Sequence, residues 1–283
     1  MLSFFHPWLE CMYVCTIMHA FFHLFIHILQ YHCRQFLGAM YTSSPNNLRI
    51  MGGVVKGRAI ASPAVYLRPM MAKVREALFS SLTSLGSFDS HAARVLDIFS
   101  GAGSVGLEAL SRGAKHATFV DLSPDCVQTC LSNARALGFE GQVMGLALRA
   151  EEVLVNPPPQ ITETYSLVTL TPPYLEVSYT ELVRGLCSSR LLDADSIVAI
   201  EYPVEMGSLP YLLSASTVLP DTRLGNLKAL KKSGMQSSPP MQDEKDAVLF
   251  GLRNRRYGRT VIAIYVFRPS VKYDMRPEEF VSI

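Results

Sequence analysis

The chain has 283 residues, 49% of them hydrophobic and 18% charged, a balance that excludes a disordered or fibrous polypeptide. That length suits one sizeable α/β domain with appendages and is too short for two large cores. The net charge of +2 says little as a total, so the placement of the basic residues has to be read locally. Six cysteines, Cys11, Cys15, Cys33, Cys126, Cys130 and Cys187, form no CxxC pair and no zinc-finger spacing. No metal and a reducing compartment are expected.

Residues 1–47 form a leader unlike the rest. Between Glu10 and Arg34 there is no charged side chain, and residues 11–33 are long enough to cross a bilayer as a helix. His19, His23 and His27 recur every four residues, a polar stripe that weakens the membrane reading. A membrane or targeting segment, a disordered leader and translated sequence foreign to the working protein all remain open, and membrane contact is expected only through this stretch.

From Leu48 the texture changes. LRIMGGVVKGRAI carries two β-prone runs broken by Gly52, Gly53 and Gly57, which predicts a small hairpin. Val74, Leu78, Leu82 and Leu85 then fall at helical spacing, in a helix ending near Gly86. From Arg49 through Arg75 there are six basic side chains and no acid, interleaved with Tyr66. Such a block suits a phosphate backbone, with a solvated basic face as the plainer alternative. Residues 48–90 are expected to form a basic extension for contact with a nucleic acid such as RNA.

An α/β domain is expected over 91–270, with a tail at 271–283. ARVLDIF, HATFVDL, QVMGLALR, SLVTLTPPY, SIVAIEY, DAVLFGL and RTVIAIYVF read as strands. VGLEALSRG and CVQTCLSNARALG read as helices, and the alternation predicts a mostly parallel sheet. NRRYG reads as the last hairpin turn, and the polar residues 231–246 as a mobile surface insertion.

The strongest local signal is VLDIFSGAGSVGLEAL. Gly101, Gly103 and Gly106 satisfy GxGxxG, and Asp121 follows where a ribose-binding acid belongs, so a dinucleotide cofactor is one reading. Asp97 argues otherwise: an acid at the end of the first strand favours a cationic ligand and repels a pyrophosphate. Downstream, Thr171-Pro172-Pro173-Tyr174 ends a predicted strand, where open α/β sheets bind ligands. Two prolines stiffen the backbone so that a carbonyl can be aimed at an exocyclic amine, and Tyr174 offers a face for stacking a base. Positioning of this kind suits a group transfer that needs no covalent intermediate.

These segments resemble motif I and the (D/N)PP(Y/F) motif IV of class I methyltransferases, with threonine where Asp or Asn is usual. With LRIMGGVVKGR, RPMMAKVREALFSSL, AIEYPVEMGSLP and RRYGRTVIAIY, residues 48–268 are similar to the RsmD-like family, bacterial and organellar enzymes that methylate guanine N2 in small-subunit ribosomal RNA. The resemblance implies a Rossmann-like, seven-stranded sheet with helices on both faces and a small N-terminal hairpin/helix extension. It implies S-adenosylmethionine as cofactor, with Asp97, Phe99, Ser100, Gly101, Ala102 and Gly103 on its methionine and ribose side. Asp121 and Leu122 would hold ribose and adenine, and Glu151 adenine. Thr171, Pro172, Pro173 and Tyr174 would be catalytic. Arg49, Lys56, Arg58, Arg68 and Arg75 would contact RNA, as would Arg255, Arg256 and Tyr257. The partner would be ribosomal RNA or a small-subunit assembly intermediate, met by a monomer. The threonine, the insertion and the leader point to a plastid-directed eukaryotic relative; a bacterial one would be cytoplasmic. An assembly factor without turnover, a DNA amino-methyltransferase and an NAD-dependent oxidoreductase are the competing functions.

Overall fold

The computed structural model describes residues 48–65, 67–89, 92–224 and 244–281. The chain divides into two compact units, Met1–Asn46 and Asn47–Ile283. The leader and residues 231–243 of the polar insertion lie outside the described residues, as do the membrane and histidine-stripe expectations placed on the leader. Among the described residues, no helix is long and apolar enough to cross a membrane, and no group of His, Cys, Asp or Glu could hold a metal ion.

Five parallel strands, β1 (Arg94–Ile98), β2 (His116–Asp121), β3 (Val143–Ala147), β4 (Tyr165–Leu170) and β5 (Leu192–Pro203), lie in the order β3-β2-β1-β4-β5. Runs such as Val95-Leu96 and Leu167-Val168 are buried on both sides, the pattern of strands covered on two faces. On one face pack α1 (Ala72–Ser84), α2 (Ser104–Ser111) and α3 (Pro124–Leu137), through Leu78, Phe79, Leu82, Leu107 and Cys130. On the other pack α4 (Ala150–Val155) and α5 (Tyr179–Ser188), through Val153, Leu154, Leu182 and Leu186. Ser123 caps α3 by accepting from the Cys126 N–H, Pro124 occupies its first turn, and Gly138 closes it in the left-handed conformation.

Among the described residues the sheet has eight strands rather than seven. Beyond β5 come antiparallel strands: β8 (Thr260–Phe267), β7 (Leu249–Tyr257) and a two-residue edge strand, β6 (Leu212–Leu213). The addition is small, since β6 only pairs Leu212 with Phe250 and Leu213 with Leu249. NRRYG is also corrected: Asn254–Tyr257 continue β7, and the turn shrinks to Gly258-Arg259 between the paired Tyr257 and Thr260. Gly258 supplies the positive φ that a two-residue hairpin demands.

The extension forms a hairpin with one bridge pair, Arg49 opposite Ala59. It is sewn to α2: Glu108 accepts from the Met51 N–H, and Ser111 exchanges bonds with Gly52, Val54 and Val55. Glu108 is fully buried, and it faces Arg75 of α1 at 3.7 Å and Arg112 at 2.9 Å. Arg75, 1% exposed, also donates to the Arg49 carbonyl. The expectation that Arg75 contacts RNA is therefore overturned. It lies on the inward stripe of α1 with Leu78, Phe79 and Leu82, and its charge answers a buried acid.

Glu108→Ala would strand the Arg75 charge and free the Met51 N–H. A loss of about 3–5 kcal/mol in urea unfolding is expected. Adding Arg75→Met, which removes the stranded charge, should restore part of it.

Candidate active site

The carboxyl ends of β1, β2, β4 and β5 gather the motif residues around the switch point between β1 and β4, where an open sheet leaves a crevice. Asp97, next to last in β1, lies under this crevice and is 1% exposed. Its Oδ2 accepts from the Gly106 N–H at 2.9 Å and its Oδ1 from the Thr169 hydroxyl at 2.9 Å. One carboxylate thus joins β1, the first turn of α2 and β4. Asp97 was expected to face a cationic ligand directly; both of its oxygens are instead spent on holding the loop from below.

That loop turns sharply. Phe99 takes φ +62°, and Gly103, at φ +78°, starts α2. A Cβ on Gly103 would also lie 3.0 Å from Cys130 Sγ, and one on Gly106 would lie 2.5 Å from the Phe119 ring. The third glycine therefore serves the close approach of helix to strand. Asp121, half-buried at the end of β2, accepts from the Gly101 N–H at 2.9 Å through Oδ2 and from the Ser123 N–H at 2.9 Å through Oδ1. Leu122 beside it is 65% exposed, an apolar surface at the crevice edge. Asn133 of α3 ties the loop to the extension, donating to the Ala102 and Ala61 carbonyls and accepting from the Ala61 N–H. Ser100 donates its N–H to the Val120 carbonyl, so the loop is held on several sides. Glu151, half-exposed at the start of α4, pairs with Arg149 at 3.7 Å.

Thr171 meets the loop itself. Its N–H donates to the Ile98 carbonyl at 3.3 Å and its hydroxyl to the Phe99 carbonyl at 3.1 Å. A non-glycine residue at positive φ carries strain of about 1–3 kcal/mol, and this bond helps to hold it. Pro172 is buried, Pro173 exposed and Tyr174 half-buried. The Tyr174 hydroxyl donates to Glu201 Oε1 at 2.6 Å and lies 3.0 Å from the Thr260 hydroxyl, while Arg68 stands 4.6 Å from its ring centre. Burial and the neighbouring Glu201 carboxylate push the Tyr174 phenol up, and burial pushes Glu201 up against the opposing effects of Tyr174 and Arg68.

The basic residues divide. Arg68 lies at the tetrapeptide, and Arg255, Arg256 and Tyr257 sit at the β7–β8 turn, at the same end of the sheet as Thr260. Arg256 is exposed and bonds only the Gly258 carbonyl among the described residues, whereas Arg255 faces Glu279 at 3.5 Å. Lys56, Arg49 and Arg58 are exposed. Arg58 donates to the Ala136 carbonyl in the last turn of α3, about one turn beyond Asn133, which reaches the glycine loop at Ala102, and Arg49 folds back on Gly57. Sequence reasoning missed Thr169, Asn133, Glu201 and Thr260. An acid ending the predicted strand SIVAIEY was a usable signal for Glu201. Thr260 had none, because only the antiparallel return of β8 brings it to Tyr174.

A parallel sheet reversing direction at β1, a glycine turn over a buried acid, a second acid on β2 and a Pro-Pro tetrapeptide after β4 define a Rossmann-like class I methyltransferase domain. A family model described as "Conserved hypothetical protein 95" matches residues 48–229, and the chain belongs to that family. It is 31% identical over 160 residues to YlbH of Bacillus subtilis, covering 56% of this chain and 84% of that protein. Against the ribosomal RNA small subunit methyltransferase D of Escherichia coli K12 it is 31% identical over 166 residues, covering 58% and 79%. The solved structure of yhhF from Escherichia coli shares the fold, with a TM-score of 0.55 and 24% identity over 78% of this chain and 97% of that one.

Burial raises the Asp97 carboxyl to about 7, with Asp121 adding to the rise. Its folded value exceeds its unfolded one, so between about pH 4 and 7 the folded chain binds the extra proton and stability falls as pH rises. Thermal unfolding of the ligand-free chain across that range should show the decline. Asp97→Asn, which cannot titrate, should flatten it.

Proposed function

We propose that the chain is an S-adenosylmethionine-dependent methyltransferase acting on guanine N2 in small-subunit ribosomal RNA. The observation that carries this is the bond between Thr171 and Phe99, which locks the tetrapeptide to the glycine loop so that an acceptor amine and a cofactor would share one crevice. Loop residues 99–103 with Asp121, Leu122 and Glu151 would hold S-adenosylmethionine. Backbone at positive φ, an acid for ribose hydroxyls and an exposed leucine fit its parts. When bound, it supplies an electrophilic methyl group carried on a sulfonium. The Asp121 carboxylate at the crevice favours a cation there and disfavours a pyrophosphate, which argues against NAD.

The Thr171 hydroxyl donates its hydrogen bond to the Phe99 carbonyl, so its oxygen keeps lone pairs to accept from an N–H of the amine, the work an Asp or Asn does in the usual motif. Stacking of a base on the Tyr174 face that Arg68 covers requires Arg68 to leave, which frees its guanidinium for a phosphate. A relative bearing the name ribosomal RNA small subunit methyltransferase D supports the choice of ribosomal RNA. The shorter threonine favours a second reading, an RNA-binding assembly factor without turnover. For the compartment, a plastid is proposed from Thr171, the insertion and the leader taken together, and mass spectrometry of the mature N-terminus tests it.

With labelled S-adenosylmethionine and unmodified small-subunit rRNA or particles, label is expected in N2-methylguanosine after nuclease digestion. No transfer under conditions where the Escherichia coli relative works would favour the assembly factor. Thr171→Ala should lower kcat about tenfold or more, as expected for a lost positioning bond, with little change in cofactor affinity. Arg256→Ala should weaken RNA binding at every sequence and reduce the salt slope by about 1.

A further inference from the structure

Glu201 stands out as a buried acid that the glycine loop does not use. It ends the core of β5, and the register Leu170↔Ile200 sets it on the strand next to Thr171. It is 8% exposed. Oε1 is taken by the Tyr174 hydroxyl, and the Tyr179 hydroxyl donates to its backbone carbonyl, so the residue is pinned from two sides. Oε2 has no hydrogen-bond partner among the described residues, and it is not one of their fully enclosed, unpartnered polar atoms, so it keeps some exposure on a side chain that reaches Tyr174 of the tetrapeptide. A carboxylate is an acceptor only, and leaving one oxygen unbonded in so buried a place is unfavourable unless a donor arrives.

We propose that Glu201 is the specificity-determining acceptor of this site: its Oε2 receives a ring N–H from the target base and so selects guanine over adenine. The assignment rests on the guanine reading above. An extruded base is read along its Watson–Crick edge. On that edge guanine presents its N1–H beside its N2 amine, two donors for Glu201 and Thr171. Adenine presents a lone pair at N1, which would meet the Glu201 carboxylate lone pair to lone pair. A site built to bond a substrate N–H rejects strongly the analogue that lacks it. Tyr174 fixes the carboxylate through Oε1.

The test uses the full chain, labelled S-adenosylmethionine and small-subunit rRNA. The methylated guanine is first mapped by mass spectrometry and then replaced by 1-methylguanine in a ligated rRNA. For the unaltered chain, 1-methylguanine should lower kcat/KM about 10- to 100-fold, the range for a lost bond to a charged group. Glu201→Gln should lower kcat/KM on the ordinary rRNA by a similar factor, with cofactor affinity and thermal midpoint nearly unchanged. In that variant 1-methylguanine should bring little further loss. If Glu201 only braced Tyr174, the two changes would multiply, and that result overturns the assignment. Full activity of Glu201→Gln overturns it as well, while leaving the guanine reading intact. Absence of transfer by the unaltered chain overturns both.

Discussion

The site is built over one buried carboxylate. Asp97 has no access to bulk water, and removing a charged acid from water is tolerable only when its oxygens are bonded or its proton retained. Both conditions act here. The Gly106 N–H and the Thr169 hydroxyl take the two oxygens, and burial raises the carboxyl to about 7. Because those partners sit on α2 and β4, the acid sets the height of α2 over the sheet and the spacing of the two strands whose ends carry the glycine loop and the tetrapeptide. Gly106 must be glycine for the same reason, since a side chain there would collide with Phe119.

Above that anchor the crevice is assembled by short polar links between segments far apart in sequence. Asp121 holds the loop at Gly101, Thr171 holds it at Phe99, and Asn133 joins Ala102 to Ala61 in the extension. Leu67, whose side chain lies near Gly101, and Arg68 continue that path to Tyr174. The extension is thus a strap running to the tetrapeptide, pinned at its start by the buried Glu108–Arg75 pair, which holds Arg49 and Met51. Its charges consequently serve different ends: one stabilises the strap, several decorate its outer face, and Arg68 attends the crevice.

Much of this was legible in local pattern. The glycine spacing, the acids ending β1 and β2, the Pro-Pro peptide after β4 and the helical spacing from Val74 to Leu82 all act through neighbours close in sequence. The strands reported themselves as apolar runs because both faces of the sheet are covered. What local pattern misplaced were the polar residues. Arg75 looked like part of a basic surface, but a helix shows its inward face only against its partners, and that partner, Glu108, lies 33 positions on. NRRYG looked like a turn because it is polar, yet its first four residues, Asn254–Tyr257, pair one by one with β8.

The sequence by itself therefore determined the class of fold, the glycine loop and the tetrapeptide, since each depends on spacing along one short segment. Only the tertiary structure decided that Asp97 supports the loop from beneath, that Arg75 is interior and that Glu201 and Thr260 converge on Tyr174. Those assignments depend on burial and on contacts between distant strands, and a charged side chain carries no mark in the sequence of whether it will meet solvent, a buried partner or a ligand.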